Sequence, residues 1–316
     1  MSTQKTMRAI SQDVLGGPEV LKEVEIERPA PKPNEVLVRV RAAGVNPTDW
    51  KHRATGGFLG EPPFVLGWDV SGVVEAVGIG VAAFAPGDEV FGMLPYPYGH
   101  GSHAEYVIAP VRALARKPAG VDHTRAGALP LVSLTAWQAL TEHADLRPGQ
   151  RVLIHAAAGG VGHVAVQIAK ARGAYVIGTA SAGKHEFLRG IGVDETIDYR
   201  ETDFTEAVKD ADVVLDTIGG DNALRSLRVL RPGGVLVSIL PGGSDDLYEE
   251  AGRLGVRALR MLVDADRSGM EAIAELVEAE KLRATIAGTF PLSEAAEAHA
   301  LGDTGRTTGK LVLLND

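Results

Sequence analysis

The sequence contains no cysteine among its 316 residues. That absence excludes disulfide bonds, zinc sites with cysteine ligands, iron–sulfur clusters and a thiol nucleophile. The chain also lacks any apolar run near the ~18 residues that a membrane-spanning helix needs, so we expect no association with a membrane. Its first ten residues have no apolar core and carry Lys5 and Arg8, which argues against a secretory signal. We therefore expect a cytoplasmic protein.

Positive charge is in short supply. The chain has 32 Lys and Arg residues against 41 Asp and Glu residues, for a formal net charge of −9. Domains that bind nucleic acid usually show an excess of basic residues, so nucleic acid is not an expected partner. At roughly 100–200 residues per domain, the length predicts two domains.

The first part of the chain has the pattern of β-structure. Val36–Arg41 alternates apolar and polar residues, as a half-buried strand does. Further strand-like runs follow at Val70–Val77, Glu89–Gly92 and Ala104–Ile108, separated by glycine and proline. Such spacing predicts an all-β barrel or sandwich of about 120 residues.

The pattern changes near residue 122, after which predicted strands and helices alternate. The strands are Val152–His155, Tyr175–Thr179, Asp212–Asp216 and Val235–Leu240, and the helices are Val161–Arg172, Gly183–Gly190, Asn222–Leu230 and residues 268–282. This alternation predicts an α/β fold with a doubly wound parallel sheet. The strand-like tail Lys310–Leu314 breaks the alternation, and we expect it to return to the first domain.

A glycine-rich turn joins the first of these strands to the helix that follows. Gly159 and Gly162 match the second and third glycines of a GxGxxG fingerprint, and Ala157 stands at the place of the first. Such a turn lets a pyrophosphate approach backbone N–H groups at a helix N-terminus. The strand and helix on either side favour a dinucleotide site over a purely structural turn.

The end of the second strand bears on which dinucleotide binds. NAD sites usually place a carboxylate about 20 residues after the turn. Here no carboxylate occurs between Asp145 and Glu186, and Ser181 and Lys184 occupy that stretch. Because a 2′-phosphate prefers cationic and neutral donors, NADP(H) is favoured. The alternative is that both side chains only cap and solvate a helix.

The sequence shows no built metal site and no nucleophile motif. His100 and His103 have a spacing that ligands can have, but no cysteine lies close to them and Asp88 and Glu89 are distant, so solvated loop histidines are the better interpretation. The serines lie in no nucleophile-elbow motif. Hydride transfer, for which the cofactor carries the chemistry, needs neither.

Motifs along nearly the whole chain resemble the zinc-free quinone oxidoreductases (zeta-crystallin-like) of the medium-chain dehydrogenase/reductase superfamily. These motifs are Gly16–Leu21, Gly44–Lys51, Leu66–Gly72, Gly87–Gly92, Leu129–Trp137, Ala156–Gly162, Ile197–Tyr199 and Gly309–Val312. The zinc alcohol dehydrogenases of that superfamily have a cysteine in the segment that here reads Gly44-Val45-Asn46, and Gly-His-Glu where this chain has Gly67-Trp68-Asp69. A zinc Lewis acid cannot be built from Asn46 and Trp68.

The resemblance implies a fold and a division of the chain. A GroES-like β-barrel domain over residues 1–124, completed by 283–316, would hold the substrate and catalytic groups. A Rossmann domain over residues 125–282 would bind NADP(H), with the cofactor between the two. The resemblance also implies a homodimer formed through edge strands, with Val235–Leu240 and Arg257–Val263 as candidates.

The resemblance further implies site residues, taken one position at a time. Lys51 resembles a lysine that touches NADP and substrate, Thr135 a threonine of the nicotinamide pocket, and Asn46 an active-site asparagine. Their respective alternatives are an exposed lysine, a buried helix hydroxyl and a turn residue before Pro47. The predicted cofactor contacts are Gly159, Gly160, Val161, Gly162, Ser181, Lys184, Tyr199 and Leu240.

The expected function is NADPH-dependent, zinc-independent hydride transfer to a small quinone or an activated alkene such as an enone. Lys51, Asn46 or backbone N–H groups would stabilise the negative charge on the substrate oxygen. Two alternatives stay open: reduction of an enoyl thioester or polyketide-type enone, and a non-catalytic NADPH-binding protein.

Overall fold

The computed structural model describes residues 6–240 and 245–315, and its strands and helices are labelled here in chain order. None of the helices in these residues combines the length and the apolarity that crossing a bilayer requires. The chain folds into two compact units. The first extends to Leu134 and includes residues 264–278 and 283 onward, and the second is Thr135–Val263 with Ala279–Leu282.

The first unit is rich in β-structure. Its strands are β1 (Thr6–Gln12), β2 (Lys22–Glu27), β3 (Glu35–Val45), β4 (Phe64–Val65), β5 (Asp69–Val77), β6 (Glu89–Met93), β7 (Tyr106–Pro110), β8 (Leu114–Arg116), β15 (Ile286–Pro291) and β16 (Lys310–Leu314). Its helices are α1 (Pro47–Thr55), α2 (His123–Gly127), the first part of α3 (Pro130–Trp137), α9 (Arg267–Glu278) and α10 (Ala295–Asp303). One sheet has the order β2-β1-β4, and the other has the order β15-β16-β3-β5-β6-β8 with β7 also on β3.

Strand β3 is the centre of the larger sheet. Val36, Val38 and Val40 are buried, as the alternation in the sequence predicts. The strand pairs with β5 and β7 along one stretch and with β16 at its end, where Val45 lies opposite Leu311. The C-terminal strand therefore returns to the first unit, as the break in the alternation predicts.

The second unit is a doubly wound sheet. Its strands are β9 (Arg151–Ile154), β10 (Tyr175–Ala180), β11 (Glu195–Asp198), β12 (Ala211–Asp216), β13 (Leu230–Ser238) and β14 (Arg257–Arg260), all parallel, in the order β11-β10-β9-β12-β13-β14. Helices α4 (Gly160–Ala171), α5 (His185–Gly190), α6 (Phe204–Ala207), α7 (Asp221–Ser226) and α8 (Asp246–Leu254) connect them. The order reverses between β9 and β12, which is the switch point where such sheets bind ligands.

The observed division differs from the predicted one in two places. The first unit continues to Leu134, beyond the expected boundary at residue 124, because α2 packs on β3 and β5. Helix α9 belongs to the first unit although the sequence groups it with the Rossmann domain. It packs on β8, and the Arg267 guanidinium lies 5.2 Å from the centre of the Phe84 ring.

Candidate active site

The turn between β9 and α4 has the geometry of a phosphate cradle. Ala156 adopts a φ of +44°, and the Gly159 N–H donates to the Ala156 carbonyl oxygen at 2.8 Å. A Cβ on Gly162 would lie 2.3 Å from the Ala156 oxygen and 2.7 Å from the Ala157 Cα, so only glycine fits there. The amides of Gly160, Val161 and Gly162 open α4, where N–H groups have no acceptor within the helix. A pyrophosphate fits this cradle.

The loop after β10 carries two of the predicted cofactor contacts. Ser181 and Lys184 are half-buried at either end of a single 3₁₀ turn. The fold brings one carboxylate to this loop, because Asp198 at the end of β11 accepts the Ala182 N–H at 3.0 Å. The backbone N–H groups of Arg200 and Ala182 hold the pKa of Asp198 below its usual value, so this carboxylate is charged. The sequence has no carboxylate between Asp145 and Glu186, but it could not show that the fold brings Asp198 from the next strand to this loop.

Tyr199 and Arg200 follow Asp198 and are both exposed. The Arg200 guanidinium lies 5.7 Å from the centre of the Tyr199 ring. Tyr199 was among the predicted contacts, but Arg200 was not. The edge of the sheet thus presents an aromatic face and a second cation besides Lys184, and a charged phosphate is attracted to such cations.

A cavity of about 500 Å³ lies at the carboxyl ends of these strands, within the second unit. Its lining includes His155, Thr179, Tyr199, Asn222 and Arg225. The Asn222 amide nitrogen is buried and has no acceptor among the described residues. A cavity of this size accommodates part of a cofactor-sized ligand.

His155 lies beneath this cavity as a neutral side chain. Its Nε2 is 2.9 Å from Ser226 Oγ, which donates its own proton to the Asn222 carbonyl oxygen, so Nε2 is the donor. Its Nδ1 accepts from Thr179 Oγ1 at 3.2 Å. Burial lowers the pKa of His155 to about 4, with Asp216 opposing that shift.

In the first unit, the N-terminus of α1 is joined to a buried network of polar groups. The Asn46 N–H donates to Asp49 Oδ2 at 2.6 Å, and Asn46 Nδ2 donates to Asp69 Oδ2 at 2.9 Å. Asp69 also accepts the Leu131 N–H at 2.6 Å. Lys310 Nζ donates to Asn46 Oδ1 and to the Val45 carbonyl oxygen, and it lies 3.5 Å from Asp69 Oδ2.

Two buried carboxyl groups share the single ammonium of Lys310 in this network. Burial raises the pKa of Asp49 to about 8, and the nearby Asp69 carboxylate adds to the rise. Burial also raises the pKa of Asp69, although Lys310 and Asn46 oppose the shift. Burial therefore favours the protonated form of Asp49. The sequence did not signal the burial of Lys310, because its partners Asn46 and Asp69 lie more than 240 positions from it.

The three predicted catalytic residues occupy different settings. Asn46 is fully buried, and both ends of its amide are engaged in the network. Lys51 lies on α1 with an exposed side chain, and Thr135 is buried on α3. Leu240 is half-buried two residues after β13 ends, directly before residues 241–244, which lie outside the described part of the chain.

The loop histidines differ from the sequence expectation. His103 is buried, not solvated. Its backbone N–H donates to the Leu66 carbonyl oxygen, and its backbone carbonyl oxygen accepts the Ile10 N–H, so the backbone of this segment is paired on both sides. His100 is half-buried, with Nδ1 2.6 Å from the Val65 carbonyl oxygen. Over residues 6–240 and 245–315, no group of three or more His, Cys, Asp or Glu side chains is arranged to hold a metal ion.

Two family models match the chain. The model described as "Alcohol dehydrogenase GroES-like domain" covers residues 32–119, and the one described as "Zinc-binding dehydrogenase" covers residues 191–313. The chain is 33% identical to the quinone oxidoreductase of Homo sapiens, over 98% of each protein. It is 36% identical to the 2-haloacrylate reductase of a Burkholderia species, over 95% of this chain and 96% of that protein.

Solved structures give the same result at the level of the fold. The quinone oxidoreductase from Coxiella burnetii superimposes with a TM-score of 0.93 at 38% identity, covering 99% of this chain and 100% of that one. The Escherichia coli quinone oxidoreductase, solved in complex with NADPH, superimposes with a TM-score of 0.89 at 29% identity, covering 98% of this chain and 100% of that one.

Proposed function

We infer the function from one premise: this chain belongs to the quinone oxidoreductase family of the medium-chain dehydrogenase/reductase superfamily. It is an oxidoreductase that uses a nicotinamide cofactor. Beyond this, we propose that it reduces quinones or activated alkenes such as enones with NADPH and without zinc. The observation that carries the proposal is the buried contact of Lys310 Nζ with the side chains of Asn46 and Asp69.

That contact argues against a zinc ion at the place where the zinc dehydrogenases hold theirs. The aligned positions here are Asn46, Trp68 and Asp69, and the indole of Trp68 offers a metal no lone pair. Lys310 Nζ donates to Asn46 Oδ1 and lies 3.5 Å from Asp69 Oδ2, so it already takes the oxygens that a metal ion would need. The residues present do not fit zinc, so an alcohol oxidation that relies on zinc is not proposed.

The preference for NADPH rests on the charges at the carboxyl end of the sheet. Lys184 and Arg200 supply cations and Ser181 a neutral donor for the 2′-phosphate, while Asp198 already accepts two backbone N–H groups. Gly159, Gly160, Val161 and Gly162 hold the pyrophosphate, and Tyr199 offers a ring face to the adenine. Leu240 and Thr135 are proposed contacts on the nicotinamide side.

NADPH, when bound, supplies the hydride. The chain's own task is to orient the acceptor and to stabilise the negative charge that develops on its oxygen. Lys51 is the proposed charge partner, because its ammonium is exposed on α1. Asn46 is buried and fully engaged, so we place it as a positioning residue that fixes the start of α1 and does not touch the substrate. The homodimer and the cytoplasmic location stay predictions.

The test is the decay of nicotinamide absorbance with NADPH or NADH against a panel of quinones and enones, with crotonyl-CoA as a separate arm. We expect turnover of a small quinone or enone with a preference for NADPH. NADPH binding in a fluorescence titration without turnover of any acceptor would contradict the proposal and favour a non-catalytic protein. Turnover of crotonyl-CoA alone would favour the thioester alternative.

Lys184→Glu tests the cofactor assignment in the same assay. A carboxylate at position 184 repels a 2′-phosphate, so we expect the preference for NADPH to be lost with little change in the rate with NADH. Lys209→Glu is the matched control, because Lys209 is an exposed lysine just before β12 and so lies at the opposite, amino-terminal edge of the parallel sheet. An unchanged preference in Lys184→Glu would remove the proposed role of Lys184.

A further inference from the structure

A loop of the first unit brings a tyrosine hydroxyl to helix α1. Tyr96 Oη lies 3.1 Å from Thr48 Oγ1, and Thr48 Oγ1 lies 3.1 Å from Nδ1 of His52, one turn further along the helix. His52 Nδ1 is also 2.7 Å from the Thr48 carbonyl oxygen. The three side chains form one hydrogen-bonded chain from the buried His52 to the half-buried Tyr96.

The carbonyl oxygen fixes the direction of this chain. A carbonyl only accepts, so His52 Nδ1 must carry a proton and donate it. Nδ1 therefore cannot accept from Thr48, and the Thr48 hydroxyl proton is directed to Tyr96 Oη. Tyr96 receives this hydrogen bond and keeps its own O–H proton, for which the described residues provide no acceptor.

Ring contacts hold the hydroxyl in place. The Tyr96 ring lies 5.3 Å from the Trp68 ring, 6.1 Å from the Phe58 ring and 6.2 Å from the His52 ring, measured between centroids. Trp68 Nε1 donates to the carbonyl oxygen of Pro97, the next residue of the Tyr96 loop, at 3.2 Å. Phe58 is 45% exposed, so an apolar face remains open beside the hydroxyl.

Lys51 lies three residues after Thr48 on the same helix, which places the two on one face. The structure therefore groups a charged donor, a neutral donor and an exposed aromatic ring at α1. We propose that Tyr96 is a further catalytic residue: its hydroxyl donates a hydrogen bond to the carbonyl oxygen of the acceptor, whose flat body packs against Phe58. This inference rests on the proposed function and adds the second oxygen-binding group.

The chemistry requires such a donor. When a hydride from NADPH adds to the β-carbon of an enone, the C=C electron pair shifts to join the α-carbon to the carbonyl carbon, and the C=O π pair moves onto the oxygen. The resulting enolate then takes a proton from water at its α-carbon, which gives the saturated ketone. A donor held in advance stabilises that negative charge without reorganising. Burial raises the pKa of Tyr96, so the O–H stays in place well above neutral pH.

The kinetic test compares Tyr96→Phe with Tyr98→Phe, using NADPH and 2-cyclohexen-1-one. Tyr98 lies in the same loop and is 74% exposed, so its variant controls for the loss of a phenol in this loop. We expect Tyr96→Phe to lower kcat by about a hundredfold, the usual effect of losing one oxyanion donor. The NADPH dissociation constant, from fluorescence titration, should stay the same, and Tyr98→Phe should match the wild type.

A spectroscopic measurement separates this role from a structural one. With NADP⁺ in place of NADPH the enone binds but is not reduced, and its C=O stretching frequency reports the hydrogen bond. We expect a shift to lower frequency in the wild type and in Thr48→Ser, a smaller shift in Thr48→Val, and the smallest shift in Tyr96→Phe, where Lys51 is the only one of the two proposed donors that remains. The same frequency and the same kcat in Tyr96→Phe would overturn the inference.

Failure of this inference is distinguishable from failure of the proposed function. A wild-type protein that reduces no quinone or enone contradicts the proposed function itself, and the role of Tyr96 with it. A wild-type protein that reduces them, with Tyr96→Phe as active as Tyr98→Phe, leaves the proposed function intact and removes only the role of Tyr96.

Discussion

At the scale of single residues, buried ionisable groups show what the fold requires of side chains. His155 is held neutral between a donor and an acceptor, and burial raises the pKa of Asp49 beside the Lys310–Asp69 contact while it lowers the pKa of Lys310. These states follow from desolvation, which disfavours the charged form of each group. Burial thus disfavours a positive charge on His155 in the second unit and a negative charge on Asp49 in the first unit.

His155 makes the stability of the protein depend on pH. Its folded pKa of about 4 lies below the unfolded value of 6.5, so below pH 6.5 the unfolded chain binds more protons and stability falls as the pH falls. Between pH 6.5 and pH 4 the wild type should lose about 3 kcal/mol relative to His155→Gln, at about 1.4 kcal/mol per pH unit. Urea unfolding at several pH values measures the difference.

The matched control for that experiment is His143→Gln. His143 is exposed, so water solvates its side chain before and after unfolding. This variant keeps the buried His155, so we expect its free energy of unfolding to fall with pH in the same way as that of the wild type. Parallel pH profiles for the wild type and His155→Gln would contradict the assignment of His155 as a buried neutral group.

At the scale of elements, α1 and β16 are joined by the Lys310 network. Strand β16 supplies Lys310, β3 supplies the Val45 carbonyl, β5 begins at Asp69, and the first turn of α1 contributes Asp49. The helix that carries Lys51 and Thr48 therefore begins at a point fixed by three strands. Catalytic geometry on α1 depends on this junction, because errors of about 1 Å in position reduce rates strongly.

Lys310→Met tests the energetic importance of the junction. Both partners of the Lys310–Asp69 pair are buried, and removal of the ammonium leaves a buried carboxylate uncompensated. Losing one partner of such a pair costs about 3–5 kcal/mol. We expect a loss of that size in the free energy of unfolding of the first unit, and partial recovery in the double variant Lys310→Met/Asp69→Asn.

Lys22→Met is the control for that experiment, because Lys22 pairs with Asp13 on the surface and such exposed pairs contribute little. If Lys310→Met were as stable as Lys22→Met, the network would be a contact without energetic weight. The roles given to Asn46 and Lys310 would then have to be withdrawn.

The elements also show how far the sequence alone leads. Strands β3, β5, β6 and β16 were predictable because each alternates or runs apolar over a short stretch. The glycine turn was predictable because its signal is local. Helix α9 was assigned to the wrong unit, and His103 to solvent, because their partners Phe84, Leu66 and Ile10 are set by packing over long sequence distances.

The same limit applies to the site. Ser181 and Lys184 follow a strand and could be found by spacing, whereas the approach of Asp198 to their loop depends on sheet order. The Lys310 network and the Tyr96–Thr48 contact join segments 48 to 264 residues apart. No pattern within a window of the sequence carries such contacts.

At the scale of the whole molecule, the first unit is assembled from segments at both ends of the chain, while the second unit has a core of its own. Leu153, Ile177, Val214 and Leu236 lie in one buried cluster of the second unit. A unit with its own core can in principle fold alone. The two units should therefore respond differently to the loss of the C-terminal strand.

Deletion of residues 309–316 tests this asymmetry. It removes β16 from between β15 and β3 and takes away Leu311, Val312 and Leu313, all buried. At about 1.5–3 kcal/mol for each such side chain, the loss is comparable to the whole stability of an ordinary domain. In hydrogen exchange, we expect the amides of β3 and β5 to lose protection while those of β9, β10 and β12 keep it.

Deletion of only residues 315–316 is the control. It should preserve the protection of both sets of amides, since β16 then remains paired with β3. Protection of β3 in the longer deletion would mean that the first unit does not depend on its C-terminal strand.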